Sequence, residues 1–316
     1  MRTGPDYIQF YPTLRCNRSC DFCFNRSMPD CRDMGSADFR AMLGALEKAG
    51  VGTLDIMGGE PTMHPDIVSY VAEAVGCGFK VNISSNGSNL SVLEKIIGMG
   101  TQVTVGISIN ERKTLGQVRD FIRTHAPVVK SLFGPAMDTG MIETILSLGP
   151  KKFYLIYRDA MERRVLEDTS PFYEFITAVQ DRFDSRSVGT VFCSGFVPDI
   201  GNEPGLVDVR CPAGTTKLGL MPDGSVYPCN LFFGEREFLL GNILADPFET
   251  IWRHRSLSFF RKAGRNACAQ TACRLHTECH GGCPAHGFRL AADLAAPDPR
   301  CAPRQPFPAS RRHNLV

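Results

Sequence analysis

Three thiols crowd into the eight residues Cys16-Asn17-Arg18-Ser19-Cys20-Asp21-Phe22-Cys23. A disulfide uses two thiols, and tetrahedral zinc takes four ligands. A cubane of four irons and four sulfides takes one ligand per iron, so three cysteines leave one iron open to a small molecule. Intervals of three and then two residues let one loop wrap three corners of such a cube. The competing reading is zinc, with Cys31 as the fourth ligand. Thiols are dense again later: Cys211, Cys229, Cys268, Cys273, Cys279, Cys283 and Cys301 leave only Cys31, Cys77 and Cys193 elsewhere. The total of thirteen is odd, so the cysteines cannot all pair.

Composition narrows the setting. Lys and Arg total 35 against 33 Asp and Glu, which gives no electrostatic case for nucleic acid or an anionic membrane. The start, MRTGPDYIQF, has no charged segment followed by an apolar run, so no secretory signal is visible. No stretch approaches the roughly 20 apolar residues of a membrane span. The chain reads as soluble and cytoplasmic, where thiols stay reduced and metal ligation explains them better than disulfides. Apolar residues make up 43%, enough for a sizeable core.

The elements that must position these thiols alternate over the first 185 residues. Strands are expected at Tyr7 to Tyr11, Thr53 to Met57, Lys80 to Ser84, Gln102 to Ser108, Val128 to Phe133 and Lys152 to Tyr157. Helices are expected at Ala37 to Lys48 (Ser36 as N-cap), Pro65 to Val75, Leu90 to Ile97, Thr114 to Arg123, Met141 to Leu148 and Pro171 to Phe183 (Ser170 as cap). Phe39, Met42, Leu43 and Leu46 recur at helical spacing, as do Phe172, Phe175, Ile176 and Val179. Six strands, each followed by a helix, imply a parallel sheet. Six fall short of a closed eightfold barrel, so the expected fold is α/β, an open partial (β/α)6 barrel. Ligands bind such sheets at the carboxyl ends of the strands. There lie Cys16 to Cys23, Gly58-Gly59-Glu60-Pro61, Ser85-Asn86 and Ser108.

From about Val188 the alternation stops and Gly, Pro and Cys become dense. A hairpin is expected at Leu218 to Tyr227, turning at Asp223-Gly224. Phe248 to Lys262 reads as a short amphipathic helix with the only Trp, Trp252. The expected organisation is a barrel domain over residues 1–185, a small Cys-rich domain over 186–301, and a disordered tail over 302–316.

At this point the chain resembles the radical S-adenosylmethionine (SAM) enzymes. Their Cys-x3-Cys-x2-Cys signature, with an aromatic before the last cysteine, appears as Cys16, Cys20, Phe22 and Cys23. Their glycine-rich turn after the second strand appears as Gly58, Gly59, Glu60 and Pro61. The resemblance implies that this turn holds the methionyl amino group, with Glu60 as acceptor. It offers Asn86 for the ribose, Ser108 on the fourth strand, and Arg119 for the SAM carboxylate. In the fourth-strand motif Asn110 replaces the family's Asp, and a solvated helix face is the competing reading for Arg119. The implied chemistry is one-electron cleavage of the sulfonium to a 5′-deoxyadenosyl radical that abstracts hydrogen from an unactivated C–H bond.

The later cysteines resemble the SPASM extension of peptide-modifying members. Cys211, Gly224, Cys229, Cys273, Cys279, Cys283 and Cys301 keep its spacing, whereas four residues separate Cys268 from Cys273 where the family has two. The resemblance implies two auxiliary 4Fe–4S clusters, three in all. Cys268, Cys273, Cys279 and Cys301 would hold the distal one; Cys211, Cys229 and Cys283 would hold the nearer, with Cys193, water or substrate as its fourth ligand. The bland alternative is two zinc ribbons using His276, His280 and His286; with iron–sulfur, these histidines are surface or supporting groups. His64 is expected to pack its turn, and Cys31 and Cys77 to be buried or spare thiols. No catalytic side chain beyond these ligands is assigned.

Three functions follow. The first is radical modification of a peptide or protein by crosslinking, epimerisation or oxidation. It would need a reducing partner such as flavodoxin or ferredoxin. A separate peptide-recognition protein is also expected, since the first strand starts near residue 7. The second is dehydrogenation or decarboxylation of a small molecule: a sugar, nucleoside or cofactor precursor. The third is a zinc- or cluster-bearing interaction or electron-transfer protein.

Overall fold

The computed structural model describes residues 4–28, 30–135, 137–183, 187–193, 196, 211–261, 268, 271, 273, 276 and 279–301. In chain order its elements are β1 (Tyr7–Phe10), α1 (Ser36–Lys48), β2 (Thr53–Ile56), α2 (Ile67–Gly76), β3 (Lys80–Ser85), α3 (Leu90–Ile97), β4 (Val103–Ser108) and α4 (Arg112–His125). There follow β5 (Val128–Leu132), α5 (Thr139–Ser147), β6 (Lys152–Ile156), α6 (Arg163–Glu167), α7 (Phe172–Arg182) and β7 (Val188–Val191). The C-terminal region adds β8 (Lys217–Leu220), β9 (Ser225–Tyr227), β10 (Gly241–Asn242), α8 (Phe248–Trp252) and α9 (Pro284–Ala291).

All these strands share one sheet, in the order β10-β9-β8-β1-β2-β3-β4-β5-β6-β7. Strands β1 to β7 pair parallel in sequence order, the partial barrel expected. Val188–Val191 adds a parallel strand beyond the six expected, where the sequence reading ended the alternation. Gly189 shows why it belongs there: a Cβ on it would meet the Tyr154 ring of β6 at 2.6 Å. The cysteine-rich region is not a separate sheet. β8 pairs parallel with β1, Tyr7 opposite Lys217, and β9 and β10 continue antiparallel. The hairpin turns at Asp223-Gly224 as expected, with Gly224 at φ +87° and Ser225 N donating to Asp223 Oδ1 at 2.9 Å.

Strand residues alternate between faces. Ile8, Phe10, Leu54, Ile56, Val81, Ile83, Val129, Phe153 and Leu155 are fully buried on the helix side. Each contributes about 1.5–3 kcal/mol. Their neighbours Gln9, Asp55, Ser84 and Lys130 give the inner face a polar character. The helices bury the periodic residues expected of them.

Three details differ from the sequence reading. Gly35, not Ser36, precedes α1 as the cap residue; Ser36 Oγ instead bonds Asp66 at 3.1 Å. Pro171, not Ser170, precedes α7. The amphipathic helix from Phe248 ends at Trp252, and after His254 the chain makes only a 3-10 turn at Arg255–Ser258. Lys262 and the tail over 302–316 lie outside the described residues. No helix among the described residues is long and apolar enough to cross a membrane.

Candidate functional site

The loop leaving β1 carries the first three thiols. Cys16 is exposed, Cys20 and Cys23 are half-buried, and all thirteen cysteines are free of disulfides. Cys23 N donates to Cys20 O at 3.1 Å, which curls the segment. Burial raises the Cys20 thiol above its ordinary range, and the neighbouring Cys23 and Cys16 add to this. Cys31, the alternative fourth ligand, sits among Asp223, Asp30 and Asp33, and burial pushes it up to about 11. Phe22 is half-buried between the second and third thiols.

Gly58-Gly59-Glu60-Pro61 follows β2 and is latched to that loop by backbone. Gly59 N donates to Thr13 O at 3.1 Å and Glu60 N to Arg15 O at 2.8 Å. Gly58 sits at φ +133°, and a Cβ on Gly59 would lie 2.1 Å from Arg15 O. Only glycine allows this docking. The two glycines are therefore needed for the loop itself, beyond any ligand. Asn25 closes the latch by donating to Gly58 O at 2.6 Å.

Glu60 is 1% exposed. Its Oε1 accepts from Thr62 N, Thr62 Oγ1 and Ser85 Oγ at 3.1, 2.7 and 2.8 Å, and its Oε2 accepts from Asn86 N at 2.7 Å. Pro61, also buried, opens the short turn that presents Thr62. The carboxylate thus ties the ends of β2 and β3 together. Sequence reading missed this knot because Ser85 and Asn86 are distant in the chain.

Asn86, which follows β3, lies against the cysteine loop. Its Nδ2 donates to Asn17 Oδ1 at 2.9 Å and stands 3.9 Å from Cys16 Sγ. Ser108 closes β4 opposite Lys130 of β5. Arg119 is exposed on α4, whose buried face is Thr114, Leu115, Val118, Phe121 and Ile122. The solvated-face reading therefore describes it, and the structure does not bring it to the site. The arginine joined to this helix from the loop is Arg18, donating to Thr114 Oγ1 at 3.1 Å. On the inner face, Lys130 Nζ donates to Ser84 Oγ at 2.6 Å, and Gly106 leaves room for the Lys130 stem. Burial lowers the Lys130 ammonium and raises the Asp55 carboxyl, each partly opposed by the other.

The later cysteines gather in two groups. Cys211, Cys229 and Cys283 are buried. Cys283 hydrogen-bonds Cys193, which with burial holds its thiol well above the ordinary range. Burial does the same to Cys211 and pushes Cys229 up to about 11. Lys217 of β8 lies among Cys229, Cys193 and Cys211. In the second group Cys301 is pushed up to about 12 by burial and by Cys279, Cys268 and Cys273 around it.

A buried ionic network adjoins both groups, with Cys283 N and Cys301 N each donating to Asp298. Asp298 Oδ2 accepts from Cys283 N at 2.9 Å and Arg300 Nη2 at 2.7 Å. Arg300 also donates to Arg158 O and Asp159 Oδ1 at 2.9 and 3.1 Å, and lies over the Tyr157 ring at 4.8 Å. His286, expected at the surface or in support, is fully buried beside Cys283 and Asp298. His64 packs its turn as expected, between Met34 O at 3.0 Å and Asp66 N at 3.2 Å.

The donor chemistry fits iron–sulfur clusters. The residues brought together are thiols, and burial raises those of Cys20, Cys23, Cys211, Cys229, Cys279 and Cys301 above the ordinary range. Such thiols ionise when a metal takes them. A Cys283–His286–Asp298 zinc site fits poorly, because both Asp298 oxygens already serve Arg300.

A family model of the radical SAM superfamily matches residues 10–130, and one of the SPASM iron–sulfur cluster-binding domain matches residues 211–283. Mycofactocin maturase MftC of Mycobacterium ulcerans (strain Agy99) is 24% identical over 334 residues, spanning 97% of this chain and 90% of that protein. The antilisterial bacteriocin subtilosin biosynthesis protein AlbA of Bacillus subtilis (strain 168) is 26% identical, spanning 90% of this chain and 68% of that protein. The fold resembles Streptococcus suis SuiB bound to precursor peptide SuiA, with a TM-score of 0.70 at 17% identity over 95% of this chain and 76% of that one. The latched three-thiol loop and the two matched regions agree, and the chain belongs to the radical SAM superfamily as an iron–sulfur-dependent enzyme of its SPASM-bearing branch.

Proposed function

We propose that this enzyme modifies a peptide or protein substrate, installing a crosslink, an inverted centre or an oxidised side chain. The observation that carries this reading is the near full-length match to a maturase, together with the bacteriocin biosynthesis protein. No observation of comparable weight favours a sugar, nucleoside or cofactor precursor.

Three 4Fe–4S clusters and SAM are the cofactors. When bound, they supply the electron that splits the sulfonium and the 5′-deoxyadenosyl radical that takes hydrogen from the substrate. Residues 1–185 do the SAM work. Cys16, Cys20 and Cys23 hold three corners of one cluster on an exposed loop, with Phe22 shielding one side. The Gly58-Gly59 turn holds the loop at fixed distance and, with Glu60 and Pro61, forms the seat for the methionyl group. Asn86 and Ser108 face the nucleoside at the neighbouring strand ends. Arg18, rather than Arg119, is the cation suited to the SAM carboxylate, since it is anchored at α4 from the loop.

Residues 186–301 carry the auxiliary clusters. Cys268, Cys273, Cys279 and Cys301 complete the distal one. Cys211, Cys229 and Cys283 hold the nearer one, and Cys193 is its fourth ligand, supported by its hydrogen bond to Cys283. The enzyme works in the cytoplasm, takes electrons from a flavodoxin or ferredoxin, and receives its substrate with a separate peptide-recognition protein.

The test is anaerobic reconstitution with SAM, a strong reductant and short peptides encoded beside the gene. Mass spectrometry then follows 5′-deoxyadenosine and peptide mass. A peptide whose mass shift depends on SAM supports the reading; turnover of only a small metabolite overturns it.

A further inference from the structure

We propose that His286 donates a hydrogen bond from Nδ1 to the Cys283 sulfur and thereby raises the reduction potential of the nearer auxiliary cluster. The inference rests on assigning that cluster to Cys211, Cys229 and Cys283. His286 is fully buried, and its Nε2 accepts from Ala160 N at 3.0 Å. A ring nitrogen that accepts carries no hydrogen, so the neutral imidazole holds its proton on Nδ1. That Nδ1 is buried and has no hydrogen-bond partner among the described residues. Buried donors require acceptors.

Asp159 Oδ1 lies 3.5 Å from Nε2, on the Ala160 side of the ring, and of the two side chains grouped with His286 only one can still accept. Ligand atoms of Cys283, His286 and Asp298 all lie within 4.8 Å of one another. Asp298 is occupied: Oδ1 accepts from Arg300 N and Nε at 3.0 and 3.1 Å, and Oδ2 from Cys283 N and Arg300 Nη2 at 2.9 and 2.7 Å. The sulfur of Cys283 remains. Cys283 also precedes α9, a helix of 8 residues whose N-terminal dipole favours a thiolate there.

The same tautomer excludes His286 as an iron ligand. An Nδ1 that holds the proton has no lone pair for metal, and Nε2 is turned to Ala160. A hydrogen bond to a ligating sulfur instead draws electron density from iron and stabilises the reduced, more negative cluster. Because Ala160 follows β6, the ring also fixes the cluster to the barrel wall. His286 is thus a positioning residue, acting through Cys283.

The experiment is an EPR-monitored redox titration of the full chain, reconstituted anaerobically to about twelve irons. His286→Phe keeps a ring and removes the donor; His286→Gln keeps a donor. The expected result is a shift of one auxiliary signal to lower potential in His286→Phe, partly restored in His286→Gln, with the other two signals unchanged. Full iron content with no shift in His286→Phe overturns the proposal. Should that variant fail to fold, pulsed EPR of the unsubstituted protein with 15N-labelled histidine decides. A weak nitrogen coupling with an exchangeable proton on the same signal supports it. A strong coupling, marking direct ligation, or none, overturns it. Only about four irons per chain would refute the auxiliary clusters themselves, and this inference with them.

Discussion

Cys16 stands exposed on a loop with little regular structure, whereas Cys211, Cys229 and Cys283 are buried beside a hairpin and the first turn of α9. The first group is held by backbone and amide hydrogen bonds from Gly59, Glu60, Asn25 and Asn86. The second is held by an ionic network that runs through Asp298 and Arg300 into the barrel. The difference fits the roles proposed for the two sites. A cluster that must meet a diffusing cofactor needs an open side and a loop that can be approached. A cluster that only passes charge is better dry and rigid, with its potential set by neighbours.

The largest expected effect breaks the comparison at its root. Cys16→Ala, Cys20→Ala and Cys23→Ala should each reduce 5′-deoxyadenosine formation to background, whereas Cys283→Ala should keep it while losing peptide product. Retained cleavage in any of the first three would contradict the open-iron assignment. Next, Arg300→Met leaves the buried Asp298 carboxylate without its cation. Breaking one partner of a buried pair costs about 3–5 kcal/mol, which urea unfolding of the loaded protein would read. An unchanged midpoint would show that the network is dispensable.

A smaller effect is expected at the knot beside the SAM loop. Glu60→Gln puts an amide N–H against donors from Thr62, Ser85 and Asn86, so the turn should loosen. SAM affinity should fall about tenfold, near 1.4 kcal/mol, by calorimetry. Acid stability sharpens the contrast further. Burial raises the Asp298 carboxyl, but the Arg300 guanidinium beside it more than reverses this, so its folded pKa lies below the ordinary value. Its stabilisation is therefore present above about pH 4 and is lost as pH falls through the folded value. Asp298→Asn should flatten that acid-side slope. The smallest effect is at Arg119: Arg119→Ala should leave SAM affinity within about twofold, well under 1 kcal/mol, because the side chain faces solvent.

Much of this was legible beforehand, for local reasons. Cysteine intervals and the Gly58-Gly59-Glu60-Pro61 run are short-range patterns, and the strand–helix alternation follows from periodicity. What escaped depends on contacts distant in the chain. Gly189 marks a strand only because Tyr154 needs its missing side chain. Arg119 read as a ligand by its position, but the buried stripe of α4 turns it outward. Asp298 and Arg300 drew no assignment from the sequence, yet they reach Cys283, Arg158 and Asp159. His286 follows Cys283 by three residues in sequence, but its Nε2 accepts from Ala160 N, 126 residues away.

The pairing of β1 with β8 bears on how the enzyme is made. Tyr7–Phe10 emerges from the ribosome well before its neighbour Lys217–Leu220, which is translated only after the remaining parallel strands. Until then one border of the nascent barrel offers bare amides and carbonyls to any passing strand. A fragment stopped at residue 185 would keep that border permanently, so it should precipitate rather than serve as a minimal SAM-cleaving unit.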